Sequence, residues 1–346
     1  MRVFLRVVPL ICLAGIPQTF AWDAPGHRAI TRVGIEGFKA KVTDPSAAWL
    51  SETDWSIRIA DLATMPDRWR NVKNASVAHI NNPDHYIDTE DLVDIGLSLE
   101  TIEPLRNDFV VQLDHARAEH PGVGRQSNPK LDFAHTDIYP GFLPQAICEN
   151  YGKLQSDFKT LRTLEKVNDP ARKQQVEAVR IAIAAQIGCL AHFVGDAAQP
   201  LHTTRHHHGW VGDNPSGFTT KKEFHAQIDA EVLRKHNLYE DAIRKKVRFD
   251  SPEFSSIDPA NPWVFAISEV KRSNQQLIPL YTLEKSGDLW KEPGAVMITE
   301  RLADAAGTLS ALLVAAWESA APSDEDIKLF VKYDGFSDAA ANKAPK

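Results

Sequence analysis

Residues 171–203 read ARKQQVEAVRIAIAAQIGCLAHFVGDAAQPLHT. Apolar residues recur there at three- and four-residue spacing, which predicts a long helix with an apolar face. His192 and Asp196 stand four residues apart near its end, so their Cβ atoms are expected to lie about 5–6 Å apart on one side of the helix. Pro200 is expected to end the helix, and His202 follows on the turn. The segment therefore predicts a core helix that carries a pair of potential metal ligands.

The same periodicity recurs along the chain, whereas strand-like alternation is scarce. An all-α, single-domain, multi-helix bundle is the fold class that this pattern predicts. Two long polar stretches, 118–140 and 203–220, are expected to be functional or mobile loops. The predicted helices are His27–Lys39, Trp55–Trp69, Glu103–Ala118, Gly141–Leu164, Ala171–Ala198, Lys221–His236, Pro262–Tyr281 and Ala295–Ser319.

The composition excludes several classes of protein. The chain has 346 residues, of which 43% are hydrophobic and 25% charged, so it is neither disordered nor collagen-like. Its 39 Lys and Arg residues face 46 Asp and Glu residues, giving a net charge of −7. An extended basic surface that holds a polyanion non-specifically is therefore not expected.

The first 21 residues, MRVFLRVVPLICLAGIPQTFA, have the pattern of a secretory signal peptide. We expect cleavage before Trp22, which leaves a domain of residues 22–346 that is secreted or periplasmic and not stably associated with a membrane. No later segment reaches the roughly 18–20 consecutive apolar residues of a membrane helix. Cys148 and Cys189 remain after cleavage, and the sequence leaves open whether they form a disulfide.

A second pair of potential ligands, His225 and Asp229, repeats the four-residue spacing on the next predicted helix. Either pair alone is more often a surface hydrogen-bonded pair. Together they indicate a metal centre, because unpaired polar groups on such apolar helices are costly to bury. Nitrogen and oxygen ligands without thiolates favour a catalytic zinc site over a zinc finger.

Several motifs occur in an order that resembles the single-strand-specific zinc nucleases of fungi and plants, the S-one/P-one type. This family shares a superfamily with the bacterial zinc phospholipases C. The tightest match is HFVGDAAQPLH at 192–202, and the resemblance covers nearly the whole mature chain. The other motifs are WDAPGH at 22–27, the AD of 60–61, DHYID at 84–88 and FHAQID at 224–229.

The resemblance implies three zinc ions and an all-α fold of the zinc phospholipase C/P-one nuclease type. Asp196 would bridge the first two ions. The free α-amino group of Trp22 would be a ligand, so the uncleaved precursor is expected to be inactive. The implied ligand sets are Asp61, His85, His192 and Asp196 for one ion; the Trp22 α-amino and carbonyl groups, His27 and Asp196 for the second; and His202, His225 and Asp229 for the third.

The resemblance also implies hydrolysis of single-stranded DNA and RNA to 5′-phosphorylated products, and possible 3′-nucleotidase activity, by metal-activated water that Asp61 orients. Tyr86 would stack on an unpaired base and Asp88 would hydrogen-bond its edge. Asn214 is the third implied substrate-binding residue, and no protein partner is evident.

Three features depart from the family pattern. The family often has a basic residue three positions after the aspartate assigned here to Asp61, but this chain has Thr64, so Arg68 or Arg70 is expected to contact phosphate. The usual Gly-Gly-Asn reads Gly212-Asp213-Asn214. An extra stretch of several tens of residues lies between 88 and 141, relative to the fungal enzymes.

Two other functions fit parts of the sequence. A zinc phospholipase C uses the same metals on a lipid phosphodiester, but the short gap from Trp22 to His27, the long gap from His202 to His225 and Asp at position 229 favour the nuclease. A zinc carrier would account for the consecutive histidines 206–208, which we expect to form a solvated loop cluster. A carrier would leave no coordination position open to water.

Overall fold

The structure is a computed structural model that describes residues 22–125, 127–128, 130–254 and 257–335. These residues form one all-α body without a β-strand, which confirms the predicted fold class. The α-helices are α1 (Ala24–Lys41), α2 (Thr53–Leu62), α3 (Met65–Arg70), α4 (Ala75–Asn81), α5 (Thr89–Asp94), α6 (Arg106–Glu119), α7 (Leu143–Val167), α8 (Lys173–Ala198), α9 (Phe224–Ala226), α10 (Val232–His236), α11 (Glu240–Lys246), α12 (Pro262–Asn274), α13 (Leu277–Ser286), α14 (Glu292–Ser319) and α15 (Asp324–Tyr333).

Helix α8 lies at the centre of the body, packed against α1, α2, α7 and α14. Its last 12 residues, 187–198, are all buried. Helix α8 has no room for side chains where it crosses two neighbours: a Cβ added at Gly188 would lie 2.8 Å from Leu62 C of α2, and one at Gly195 would lie 2.9 Å from His27 Nδ1 of α1. The predicted ligands on α8 are therefore held by well-packed neighbours on several sides.

Most predicted helices are confirmed, but two are interrupted at prolines. The predicted helix 55–69 is two helices, because Pro66 lies in the first turn of α3. The predicted helix 262–281 is divided before Pro279, which cannot continue a helix from the preceding turn. Both predicted irregular stretches lie between helices, after α6 and after the 3-10 turn Pro200–Thr203.

By length and composition, the helical stretch Pro170–Ala198 could cross a membrane, which the sequence analysis did not predict. However, 61% of its most apolar window is buried inside the protein, where it carries the candidate ligands. It is the core helix of this body. Cys148 on α7 and Cys189 on α8 are both free thiols. The predicted signal peptide, 1–21, lies outside the described residues.

A short segment, 83–88, holds His85 and Tyr86 against the end of α8. The Ile87 amide donates to the His202 carbonyl at 2.9 Å, and the Asp88 amide donates to Pro140 O at 2.6 Å. Gly141 pairs with Ile87 on the other side. Gly141 has φ +112°, and a Cβ there would lie 1.9 Å from the carbonyl oxygen of Tyr86. Only glycine fits this position.

We expect Gly141→Ala to lower the free energy of unfolding by about 2–3 kcal/mol, because both the backbone conformation and the contact with Tyr86 would be strained. Urea denaturation followed by circular dichroism measures this. Gly152→Ala in α7 is the matched control, since a Cβ there meets no atom within 4 Å and alanine favours a helix by about 1 kcal/mol. Equal stability of the two variants would contradict the assigned role.

Candidate metal centre

His192 and Asp196 lie one turn apart on α8, as predicted, with both side chains fully buried. His192 Nε2 lies 3.4 Å from Asp196 Oδ2. The Nδ1 atom of His192 is 2.7 Å from the carbonyl oxygen of Ala63. Because a carbonyl can only accept, Nδ1 carries the proton and Nε2 presents a lone pair to the cluster.

Asp196 lies between two groups of histidines. Its Oδ2 is 3.0 Å from His85 Nδ1, and its Oδ1 is 3.5 Å from His27 Nε2. The rings of His27 and His192 stack with centroids 4.1 Å apart. A carboxylate whose two oxygens face different imidazoles has the arrangement of a ligand that bridges two cations.

The aspartate predicted at position 61 is not in this cluster, and Asp67 is there instead. The side chain of Asp61 is 57% exposed and pairs with Arg28 at 2.7 Å. Asp67 Oδ1 lies 3.9 Å from His192 Nε2 and 4.0 Å from His85 Nδ1. Two buried triads could therefore hold metal: His27, His192 and Asp196, and Asp67, His85 and His192.

The physical reason for this difference is the helix interruption before Pro66. Continuous helical periodicity through 55–69 gives no reason to prefer one aspartate over the other. The turn at 63–64, where Thr64 Oγ1 donates to Asp61 O at 2.8 Å, redirects the chain and turns Asp67 into the core. Arg70 stands three positions after Asp67, so the basic residue that was missing after Asp61 is present in this register.

His202, His225 and Asp229 form a second cluster. His202 Nδ1 donates to His85 O, which leaves its Nε2 facing His225 Nε2 at 3.1 Å. His225 Nε2 lies 3.3 Å from Asp229 Oδ2. Asp229 lies in a π-helical turn, Gln227–Glu231, a distortion that often marks functional sites.

Gln199 fixes this second cluster and was missed by the sequence analysis. Its amide nitrogen donates to Asp229 Oδ1 at 2.8 Å, while its side-chain oxygen accepts from the Leu201 amide at 2.6 Å. One side chain thus orients Asp229 and caps the turn that carries His202. The sequence offered one sign of this role: Gln199 directly precedes Pro200, which ends the helix, in the motif QPLH.

The donor atoms are spaced as zinc ligands are. Nitrogen and oxygen ligands about 2.0–2.2 Å from a tetrahedral zinc ion stand about 3.3–3.6 Å from one another. The distances given above fall between 3.0 and 4.0 Å. Several of these buried atoms also have no hydrogen-bond partner, which is unusual unless a ligand satisfies them. They are His27 Nε2, Asp67 Oδ1, Asp196 Oδ1 and Asp229 Oδ2.

Burial keeps the imidazoles neutral. Burial lowers the pKa of His192 and of His202 to about 3, although the hydrogen bond from each ring to a backbone carbonyl raises the pKa. Burial, together with nearby histidines, also lowers the pKa values of His27, His85 and His225 well below the usual range. Neutral imidazole is the form that binds metal.

Burial has the opposite effect on the carboxylates, because it removes water from their charge. It raises the pKa of Asp67, and raises those of Asp196 and Asp229 well above the usual range. Asp67 raises the pKa of Asp196 further. Neutral imidazoles offer no positive charge to these carboxylates, whereas a divalent cation between them would offset the cost of burying them.

Trp22 anchors the start of the described chain beside this centre. Its indole nitrogen donates to Gly195 O at 2.9 Å, directly before Asp196, and the ring is fully buried. The Asp23 amide donates to Asp229 O at 2.9 Å. Ligation by the Trp22 α-amino group stays a prediction, because it requires removal of residues outside the described part.

A cleft of about 190 Å3 opens beside His202 and His225. Arg70 and Tyr86 line it, as does Arg125 from the loop between α6 and α7. No described acidic residue lies within ion-pair distance of the Arg70 guanidinium, so it can pair with a ligand in the cleft, although its charge acts at longer range to lower the pKa of Asp67, which burial raises. The remaining lining residues are Asn82, Asp137, Leu201, His207 and His208.

Two predicted substrate-binding residues do not face this cleft. Asp88 is fully buried and pairs with Arg125. The amide of Asn214 closes its own loop, donating to Phe218 O at 2.8 Å and accepting from the Phe218 amide at 2.9 Å.

The expectation of a solvated histidine cluster at 206–208 is wrong for its first two members. His206 is buried, and its ring stacks on Trp210 at 3.9 Å between centroids. His207 is half-buried and lines the cleft, while His208 is exposed.

The sequence matches none of the models of known protein families, and a search of curated proteins gives no match. The resemblance to the zinc nucleases therefore depends on the motifs and on the geometry just described.

We expect Asp67→Asn to lower the affinity for zinc by at least about 100-fold, since loss of even an outer hydrogen-bond partner of a ligand costs about 10–100-fold. Zinc content after dialysis against buffered metal, measured by mass spectrometry, reports the change. Asp61→Asn is the matched control and should retain the full zinc content. Loss of zinc in Asp61→Asn but not in Asp67→Asn would identify Asp61 as the ligand.

Removal of metal should destabilise the protein, because the buried carboxylates lose their compensating charge. At a zinc concentration 1,000 times the Kd, each site contributes about 4 kcal/mol to the free energy of unfolding. Calorimetry with zinc, with a chelator and after restoration of zinc should show a lower Tm that recovers. An unchanged Tm would argue against a metal centre.

Proposed function

We propose that this protein is a zinc-dependent phosphodiesterase that hydrolyses single-stranded nucleic acid, with residues 1–21 removed during export. The observation that carries the proposal is Asp196, fully buried, with each oxygen facing a different imidazole, beside a cleft that offers an unpaired arginine. Paired cations joined by a carboxylate next to a phosphate-binding cleft are typical of enzymes that act on phosphodiesters.

We propose three ions, as the resemblance implies, of which two are supported by the buried triads described above. Asp196 would be shared by two of them, one also held by His27 and the other by Asp67, His85 and His192. His202, His225 and Asp229 would hold the third. Bound zinc supplies a Lewis acid for phosphoryl oxygens and activates water near neutral pH. This arrangement also supports the proposed fold type, shared with zinc phospholipases C and P-one nucleases.

Arg70 is the proposed phosphate-binding residue. It lines the cleft beside His202 and His225, and no described acidic residue lies within ion-pair distance of it. A free guanidinium donates two parallel hydrogen bonds to a phosphate. Arg68, the other candidate, is exposed and contacts Met65.

Tyr86 is the proposed stacking residue, and it supplies selectivity for unpaired bases. Its ring lines the cleft directly after His85, and its position is set by the contact of its carbonyl with Leu143 N at 3.2 Å. A base must be free of its pairing partner to stack on a ring. Duplex nucleic acid is therefore expected to be a poor substrate.

The net charge of −7 is compatible with an anionic substrate. Zinc ions and Arg70 would make the field positive within the cleft, whatever the charge of the whole surface. Attraction of phosphate is thus local.

The decisive experiment incubates zinc-loaded residues 22–346 with single-stranded DNA, RNA, duplex DNA, 3′-nucleotides and phosphatidylcholine, with and without a chelator. We expect cleavage of the single strands to 5′-phosphorylated products, inhibited by the chelator. Release of diacylglycerol without nucleic-acid cleavage would identify a phospholipase C instead. Zinc binding with no hydrolysis of any substrate would indicate a metal carrier.

Two variant pairs test the residues. His192→Ala should abolish turnover and lower bound zinc, whereas His115→Ala, at an exposed position on α6, should change neither. Arg70→Ala should lower kcat/KM by about 10–100-fold, through loss of a charged hydrogen bond worth about 1.5–3 kcal/mol, with zinc content unchanged. Arg68→Ala should retain full activity. Equal effects of the two arginine variants would remove Arg70 from the proposal.

A further inference from the structure

The loop between α6 and α7 lines the part of the cleft where a base would lie. It contributes Arg125 and Asp137 to the lining. Arg125 reaches Asp88, with which it forms an ion pair, and its Nε lies 2.7 Å from Asp91 Oδ2. The guanidinium is therefore fixed in direction by two carboxylates.

Arg125 covers the carboxylate that was expected to read the base. Asp88 has no exposed surface and is not part of the cleft lining. The side chain of Arg125 is 28% exposed and lines the cleft. A ligand in the cleft therefore meets hydrogen-bond donors at this position where the resemblance predicts an acceptor.

The charges around Arg125 argue against a second phosphate site. Arg205 lies near, pairing with Asp91 at 3.2 Å and with Asp94 at 2.5 Å, and its backbone amide donates to Glu90 at 3.0 Å. Two arginines thus face four carboxylates, Asp88, Glu90, Asp91 and Asp94. A phosphate would be repelled there, whereas the uncharged edge of a base that presents acceptors would not.

We infer that Arg125 is a specificity-determining residue that reads the acceptor edge of guanine, with the base stacked on Tyr86. A guanidinium donates to guanine O6 and N7 together, whereas adenine presents an amino donor beside N7. The inference rests on the proposed function, since it assumes that the cleft takes a nucleotide. It assigns the phosphate to Arg70 and the base to Arg125.

Equilibrium binding tests this without turnover. Isothermal titration of the zinc-loaded protein with 5′-GMP and 5′-AMP compares two ligands that differ only in the base. We expect GMP to bind about tenfold more tightly, a difference of about 1.4 kcal/mol that a bidentate pair with a base edge can supply. Arg125→Lys retains the charge but lacks the planar fork, so it should bind both nucleotides with Kd values within twofold of each other.

Lys130→Ala is the matched control, because it removes a charge from an exposed position on the same segment, outside the cleft lining. It should keep the preference for GMP. If Arg125→Lys does not fold, Arg125→Leu combined with Asp88→Asn removes the opposite charges together and serves the same comparison.

Equal binding of GMP and AMP to the unaltered protein would overturn the inference. So would an equal weakening of both nucleotides in Arg125→Lys, which would identify a phosphate contact. Selective GMP binding without hydrolysis of nucleic acid would reject the proposed function but leave the role of Arg125 intact. Hydrolysis of nucleic acid without preferential binding of GMP would support the proposed function but reject the role of Arg125.

Discussion

The central constraint on this molecule is the burial of carboxylates without a resident positive charge. Asp196 and Asp229 have almost no exposed surface. Their neighbours are the uncharged amide of Gln199 and histidines whose pKa values burial holds low. Neutral imidazoles cannot offset carboxylate charge, so these groups would be costly to keep in the core by themselves. A bound divalent cation would resolve this, because it would use the lone pairs and offset the charges at once. Metal binding and stability of the core are thus expected to be coupled.

Prolines bring the ligands together at the ends of helices. Pro66, Pro83 and Pro200 each lie in the first turn of a short helical segment, and each of these segments carries one ligand inward: Asp67, His85 and His202. Helix α8 supplies a rigid pair in the middle. Short segments that start at a fixed φ can change direction within a few residues, so donors from distant parts of the sequence can converge on one point. Gly141 allows the backbone to pass close to the carbonyl oxygen of Tyr86, next to His85.

The candidate metal ligands and the wall of the cleft are supplied by different parts of the fold. The metal ligands lie on helices and short turns packed against the core, whereas the cleft wall is supplied in part by the loop that follows α6. Loops accept insertions more readily than packed helices do, so this wall can change while the centre does not. Here the loop places the guanidinium of Arg125 over the carboxylate of Asp88. The cleft therefore presents hydrogen-bond donors at this position, while the candidate metal ligands lie on the packed helices.

The sequence by itself determined the all-α fold, the long core helix and the two His/Asp pairs at four-residue spacing that could bind metal, because helical periodicity and ligand type are local properties. It could not choose between Asp61 and Asp67, since that choice depends on a turn before Pro66 that redirects the chain. Nor could it show that Asp88 lies behind Arg125, or that Gln199 orients Asp229. These contacts join residues that are 30 or more positions apart, and only the packing of the helices sets the distance between such residues.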